Sequence, residues 1–459
     1  MHAWTRRSFL TAGLGLAGCT RFDRPSLEQL YGPAQYRAEQ PPLIVIPGAF
    51  GSALRRRSDG RELWPGPDAR LLFGRYRELE LPIDPGRLEP RPDDVEPYEI
   101  FKRGLGRDFY GEVLRTLQRA GGYTRCSECV PPRAGQRNFY VYLYDFRLDN
   151  VAAVRGLHAL IERIRAGFGD PRLPVDILAH SNGGLLARYY ARYGTDDVLD
   201  DATIRPTYTG APAIRRLLMV GTPNLGTLQP VLSHTRGEEI GFAKIPPEVM
   251  ATCPAPPQIM PHPALPWLAD TDGRPLAHDL YDIATWRDFG WSIFDPLVAD
   301  RTIADHGGGA RGRAYLALLR DYMARQLERG RRFAAALSLP GDERDLRPYV
   351  FGGDCAPTLR RLVVEEADGH WHARERVEAI RRPVAGVDYA TVMFEPGDTV
   401  VTRSSLLGRL SGDVAAPRAG VESLRLAHSV FLCERHQSLT GNPSFQDNLL
   451  YTLLSVDPT

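Results

Sequence analysis

Short apolar runs alternate with amphipathic stretches along much of this chain. The first run, PPLIVIPGAF at 41 to 50, is continuously apolar and closes on Pro47-Gly48, which predicts a buried strand followed by a tight loop. Residues 52 to 98 interrupt the pattern: Arg, Asp, Pro and Gly dominate, with one apolar island at ELWPGPDARLLFG, so an irregular excursion is expected there. In GRDFYGEVLRTLQRAGGY the residues Phe109, Val113, Leu114 and Leu117 recur at helical spacing, and the stretch ends in glycine as a helix C-terminus should. NFYVYLYDFR then reads as strand, ALIERIRAGFG as helix, VDILAHSNGGLLARYY as strand, turn and helix, and IRRLLMVGTPNLGT as another strand. Such alternation predicts an α/β fold, a mostly parallel sheet with helices on both faces.

From about 225 to 345 the alternation gives way to proline-rich loops, tryptophans and one long helix, AYLALLRDYMARQLERGRRFAAAL. This predicts a cap inserted into the sheet domain. Strands are expected to resume with PYVFGGDC, a hairpin turning at Asp368-Gly369, and VDYATVMFEPGDTVV. Asn442-Pro443 caps and opens a last helix with Phe445, Leu449, Leu450 and Leu453 inward.

With 459 residues, 43% hydrophobic and 25% charged, the chain has the composition of an ordinary globular protein. Lys plus Arg number 57 against 56 Asp plus Glu, so there is no basic field to attract nucleic acid. Residues 1–19 carry Arg6-Arg7, a short apolar run and Leu16-Ala17-Gly18-Cys19, the layout of an export signal too short to span a bilayer. TRRSFL resembles a twin-arginine signal and LAGC a bacterial lipobox, which together imply export to the periplasm or cell envelope and a lipid anchor at Cys19. The other cysteines, Cys126, Cys129, Cys253, Cys355 and Cys433, are odd in number, so their pairing leaves at least one thiol free. Cys126 and Cys129 are read as a local disulfide or two ordinary thiols, since no second pair at ligand spacing follows. His370 and His372 share one strand face without a third ligand, so neither metal nor cofactor is expected.

A strand that turns into a helix through small-x-Ser-x-Gly forces the serine into a strained conformation with its oxygen exposed, and Ala179, His180, Ser181, Asn182 and Gly183 fit that pattern. A nucleophilic serine needs a base and a carboxylate to orient it. Asp398, in MFEPGDTVV, is placed for the carboxylate. Of the 11 histidines only His428 and His436 follow it, and spacing does not separate them. The oxyanion of an acyl-transfer intermediate requires two N–H donors; Asn182, after the serine, supplies one, and Phe50, between glycines in PGAFG, is the candidate for the other.

These residues resemble the lecithin:cholesterol acyltransferase family, with its lysosomal phospholipase and bacterial lipase-like relatives, in the α/β-hydrolase superfamily. The resemblance runs from about Pro41 to Leu454 and rests on VIPGAFGS, YDFR, AHSNGG, GTPNLGT, GDTVVTRS and RHQSLTGN in that order. It implies an α/β-hydrolase domain over 41–455 and selects His436 over His428 as base, giving Ser181, Asp398 and His436. It further implies oxyanion donors at Phe50 and Asn182 and a mobile lid around Trp64 to Leu81. The expected activity is acyl transfer from a lipid acyl donor, a phospholipid or glyceride, to water or a lipid alcohol at a membrane surface. The competing readings are an esterase for small soluble esters and a lipid-binding lipoprotein without turnover. Asn182 replaces the family's usual apolar residue, which is expected to alter acyl-chain packing. Asp145 and Arg147 are expected to pair structurally, and Trp286, Phe289, Trp291 and Phe294 either line an acyl groove or pack the cap.

Overall fold

The computed structural model describes residues 26–32, 40–127, 136–341, 346–409 and 424–454. The export signal with Cys19 and the residue Cys129 lie outside the described residues.

Seven strands form one parallel sheet: β1 (Leu43–Ile46), β2 (Tyr123–Arg125), β3 (Arg137–Val141), β4 (Val175–His180), β5 (Ile214–Val220), β6 (Tyr349–Gly353) and β7 (His428–Leu432). Their spatial order is β7-β6-β5-β4-β1-β3-β2. The chain runs from β1 to the outer edge at β2, returns to place β3 between them, then crosses to the other side of β1 and builds outward from β4 to β7. That reversal opens a crevice beyond the carboxyl ends of β1 and β4, where ligands bind in open α/β sheets.

Strands β1, β4 and β5 carry the continuous apolar stretches Leu43–Ile46, Ile177–Ala179 and Leu217–Val220 because both faces are covered. Ile44, Ile46, Ile177, Ala179, Leu217 and Met219 point into one layer, packed under α2 (Asn150–Phe168) and α3 (Asn182–Tyr193). Leu43, Val45, Leu178, Leu218, Val220 and Phe351 point into the other, under α1 (Gly111–Arg119) and α5 (Pro443–Leu454). Helix ends follow local chemistry. Asp149 accepts from the Val151 N–H at the start of α2, and Gly169, with φ 69°, closes it in the left-handed region. Asn442 accepts from the N–H groups of Ser444 and Phe445 at the start of α5, where Phe445, Leu449, Leu450 and Leu453 are buried as predicted.

Three expectations change. Residues 52 to 98 are structured: Ser52–Arg56, Glu62–Trp64 and Val95–Ile100 pair in an antiparallel sheet, and Trp64, Tyr76 and Leu79 join the main core. Charged residues on the outer face of these short strands hide their alternation. The hairpin at Asp368-Gly369 forms, with φ of 57° and 75°, but in a separate small sheet. VDYATVMFEPGDTVV forms a short helix, Tyr389–Met393, and a strand, Phe394–Gly397, that pairs with Ala356–Leu359 outside the central sheet. The strand that completes that sheet is instead His428–Leu432.

The inserted region carries α4 (Gly309–Ser338), which lies against α3: Phe333 stacks on Tyr189, and the Tyr193 hydroxyl donates to the Ala336 carbonyl. Trp286, Phe289 and Trp291 are buried in this region's own core. Their role is packing.

Helix α3 can start where it does because glycine leaves room. A Cβ on Gly183 would lie 2.7 Å from the Pro47 carbonyl oxygen and 2.9 Å from that of Ile46. Gly183→Ala is expected to push α3 off β1 and lower stability by about 1–3 kcal/mol in urea unfolding; unchanged stability would contradict the close approach.

Candidate active site

Ser181 is the single residue between β4 and α3, with φ 52° and ψ −125°, a conformation that non-glycine residues rarely adopt. Its N–H donates to the Val220 carbonyl at 2.8 Å, which ties the turn to β5. The side chain is thereby left standing at the edge of the sheet above the crevice. Ala179, in place of the usual glycine of such turns, is fully buried between β1 and β5, its methyl absorbed in the core under α2 and α3.

The structure brings three of the sequence candidates together. His436 Nε2 lies 3.0 Å from Ser181 Oγ, and His436 Nδ1 lies 2.8 Å from Asp398 Oδ2. The other carboxylate oxygen, Oδ1, accepts from the N–H groups of Val400 at 3.0 Å and Val401 at 2.6 Å. The His436 N–H donates to the Asp398 carbonyl at 2.8 Å, so backbone as well as side chain joins the two residues. Burial alone would raise the Asp398 carboxyl; the His436 ring and the two amides outweigh it and hold the group below the usual carboxylate range. An ionised carboxylate at Nδ1 keeps the proton there and leaves Nε2 free to accept from the serine.

His428 stands apart. It begins β7, ~13 Å along that strand from the carboxyl end at Leu432, and is exposed. The end of β7 is fastened to β6 by a disulfide between Cys355 and Cys433, three residues before His436. Cys126 and Cys253 carry free thiols.

The loop after β1 turns at Gly48, whose carbonyl accepts from the Gly51 N–H at 3.0 Å, and it places Phe50 at φ 61°. Phe50 and Ser181 line the same cavity. The Trp64 indole donates to the Phe50 carbonyl at 2.9 Å, and the Phe50 ring packs against Trp64 and Phe146. That holds Phe50 by its side chain and by the peptide that follows it. Asn182 opens α3, where a backbone N–H has no acceptor within the helix and the helix dipole favours negative charge. Its side chain does not reach an acyl site as expected. It is fully buried and exchanges hydrogen bonds with Asn150 at 2.9 and 3.1 Å while also donating to Tyr144 Oη at 3.2 Å. A polar residue there is satisfied beneath the sheet edge.

The cavity above Ser181 has a volume of about 450 Å³ and is walled by Phe50, Trp64, Leu79, Phe101, Phe146 and Ile259 among others. Trp64 and Leu79 of the 52 to 98 excursion thus form part of its wall. Arg147, beside it, is paired with Asp145 and with Asp93 at 2.9 Å. Burial opposes its charge, and the two carboxylates more than restore it. This is the expected structural pair. Among the described residues no group of three or more His, Cys, Asp or Glu could hold a metal ion.

No family model and no curated protein matches the chain. The chain is similar to a solved structure titled the crystal structure of the Tle4-Tli4 complex, with a TM-score of 0.51 and 15% identity over 91% of this chain and 98% of that one. At that identity the likeness is one of fold. With the sheet order and the serine turn after β4, it establishes the α/β-hydrolase fold.

A long-chain fluorophosphonate is expected to modify Ser181 in the folded protein and to fail with Ser181→Ala. Asp398→Asn, which keeps the shape but loses the charge at Nδ1, should slow labelling roughly 10⁴-fold. Labelling of Ser181→Ala, or labelling of Asp398→Asn at the wild-type rate, would contradict the cooperation of the three residues.

Proposed function

We propose that the protein is a serine-dependent lipid acyl hydrolase or O-acyltransferase acting on fatty-acyl esters such as phospholipids. The observation that carries this reading is the run of hydrogen bonds from Asp398 through His436 to Ser181 on the floor of an apolar cavity. The resemblance to the lecithin:cholesterol acyltransferase family supports it.

In this mechanism His436 Nε2 takes the Ser181 proton as Oγ attacks the ester carbonyl. The carbonyl oxygen becomes an oxyanion facing the N–H groups of Phe50 and Asn182, each such donor being worth about 3 kcal/mol of barrier. Collapse of the tetrahedral intermediate breaks the bond to the alcohol, which leaves with the proton held by His436. The acyl group is then bonded to Ser181 Oγ. A second hydroxyl, of water or a lipid alcohol, gives its proton to His436 and attacks the acyl carbon, and Ser181 leaves with that proton. Acceptor choice depends on whether an alcohol displaces water from the cavity.

The cavity mouth favours lipid over small soluble esters. Phe73 and Phe242 are 83% and 84% exposed, and their segments adjoin, since the Phe242 N–H donates to the Leu71 carbonyl and the Lys244 N–H to that of Gly74. Ile240 and Gly241, next to Phe242, line the cavity itself. Large apolar rings left in water at a cavity rim suit a site that works against aggregated lipid.

Export and anchoring through Cys19 belong to the same proposal. The Cys355–Cys433 disulfide supports it, because such bonds persist in oxidising compartments. Intact mass of the exported protein should show an acylated N-terminal Cys19, and an unprocessed N-terminus would refute this part.

Mass spectrometry of lipids from phosphatidylcholine vesicles containing a long-chain alcohol tests the activity. Free fatty acid, or a new acyl ester, that disappears in Ser181→Ala is the expected product; no Ser181-dependent product would overturn the reading. Replacing both Phe73 and Phe242 by Ser is expected to lower turnover of vesicles about tenfold or more while sparing a monomeric p-nitrophenyl ester. Equal loss on both substrates would remove the role assigned to the rim.

A further inference from the structure

Beside the serine, a second chain of hydrogen bonds runs through groups that the proton path does not use. The Gly48 N–H donates to Tyr110 Oη at 2.9 Å, Tyr110 Oη lies 2.7 Å from His180 Nδ1, and His180 Nε2 lies 3.3 Å from the His436 carbonyl oxygen. Its direction follows by elimination. A carbonyl oxygen only accepts, so Nε2 carries the His180 proton; Nδ1 of the neutral ring then accepts, and Tyr110 must donate its one proton to it. The lone pairs of the tyrosine oxygen remain for Gly48. Each donor has its acceptor, and the chain reads one way from the loop after β1 to the backbone of the base.

The neutral ring this requires is the one the surroundings favour. Burial, and next the neighbouring His436 ring, push His180 down to about 3. The two imidazoles sit with centroids 4.9 Å apart, and Tyr110 meets His180 edge-on at 5.6 Å. A neutral His180 adds no positive charge beside His436 when that ring takes up the serine proton.

Gly48 is well placed to transmit a shift. A Cβ there would come within 2.7 Å of Ser181 Cβ and 3.2 Å of His180 Nδ1, so the loop rests directly on the serine turn. Gly48 also begins the turn that presents Phe50, closed by the hydrogen bond from the Gly51 N–H to its carbonyl.

We infer that Tyr110 and His180 are positioning residues that lock the oxyanion loop and the His436 backbone to one another across Ser181. The inference rests on the reading of Ser181, His436 and Asp398 as a hydrolytic site. Without the tyrosine oxygen the Gly48 amide loses its acceptor and His180 loses its donor, so both sides of the serine relax together.

The test uses the full chain, a soluble p-nitrophenyl ester and a fluorophosphonate. Wild type comes first: if Ser181 is not labelled, the hydrolytic reading itself fails, separately from this inference. Given labelling, Tyr110→Phe, which removes one oxygen, should lower kcat by about tenfold or more with KM within about twofold. The labelling rate should fall by the same factor while the near-ultraviolet circular dichroism is retained. His180→Gln, whose amide both donates and accepts, should keep more of kcat than His180→Ala. Because the chain acts as one unit, Tyr110→Phe combined with His180→Gln should lose less than the product of the two single losses. A wild-type kcat in Tyr110→Phe, a loss confined to KM, or fully multiplicative losses in the double variant would overturn the inference.

Discussion

The strained backbone of Ser181 is the constraint on which the rest of this site depends. A left-handed φ at a non-glycine residue costs of the order of 1–3 kcal/mol and persists only where the surroundings leave no alternative. Here β4 is clamped between β1 and β5, the Ser181 N–H is held by β5, and α3 must begin at once. The neighbours pay in side-chain volume. Gly48, Gly183 and Gly184 each sit where a Cβ would fall within 2.7 Å of another atom, so three strands' ends and a helix start can crowd around one hydroxyl.

Two limbs converge on that hydroxyl from opposite sides of the sheet reversal. On one, the loop after β1 is held by Trp64 at the Phe50 carbonyl and by Tyr110 at the Gly48 amide. On the other, the turn after the Phe394–Gly397 strand supplies Asp398 and the segment after β7 supplies His436, with the Cys355–Cys433 disulfide joining the chain just beyond β6 to the chain just beyond β7. Neither limb is a rigid element by itself. Each is a loop made stiff by hydrogen bonds to groups that are themselves buried, and a site built this way keeps its geometry without strain being spread through the sheet.

Much of this was legible from local chemistry. Apolar runs at Leu43–Ile46, Ile177–Ala179 and Leu217–Val220 marked β1, β4 and β5, because a strand covered on both faces has no polar alternation to show there. Asn442-Pro443 marked the start of α5, and the serine turn announced itself through its small residues. The less legible parts have physical reasons too. His428–Leu432 is a five-residue edge strand beginning with two polar residues, too short for a pattern. His428 and His436 differ in which end of the strand they stand near, which spacing cannot tell. Asn182 looked like an intrusion into an apolar site, whereas its side chain turns the other way, to a partner, Asn150, 32 residues earlier. Tyr110 gives no signal in the sequence, since its hydroxyl gains meaning only when β1 and β4 are brought beside it.

The account stands or falls on a covalent intermediate at one residue. Rapid quench of the protein with a long-chain p-nitrophenyl ester, followed by peptide mass spectrometry, measures it directly. The account predicts a single peptide containing Ser181 that carries the added mass of the acyl group and loses it as turnover proceeds. Turnover with no acylated peptide, or with the acyl group on another residue, would contradict it.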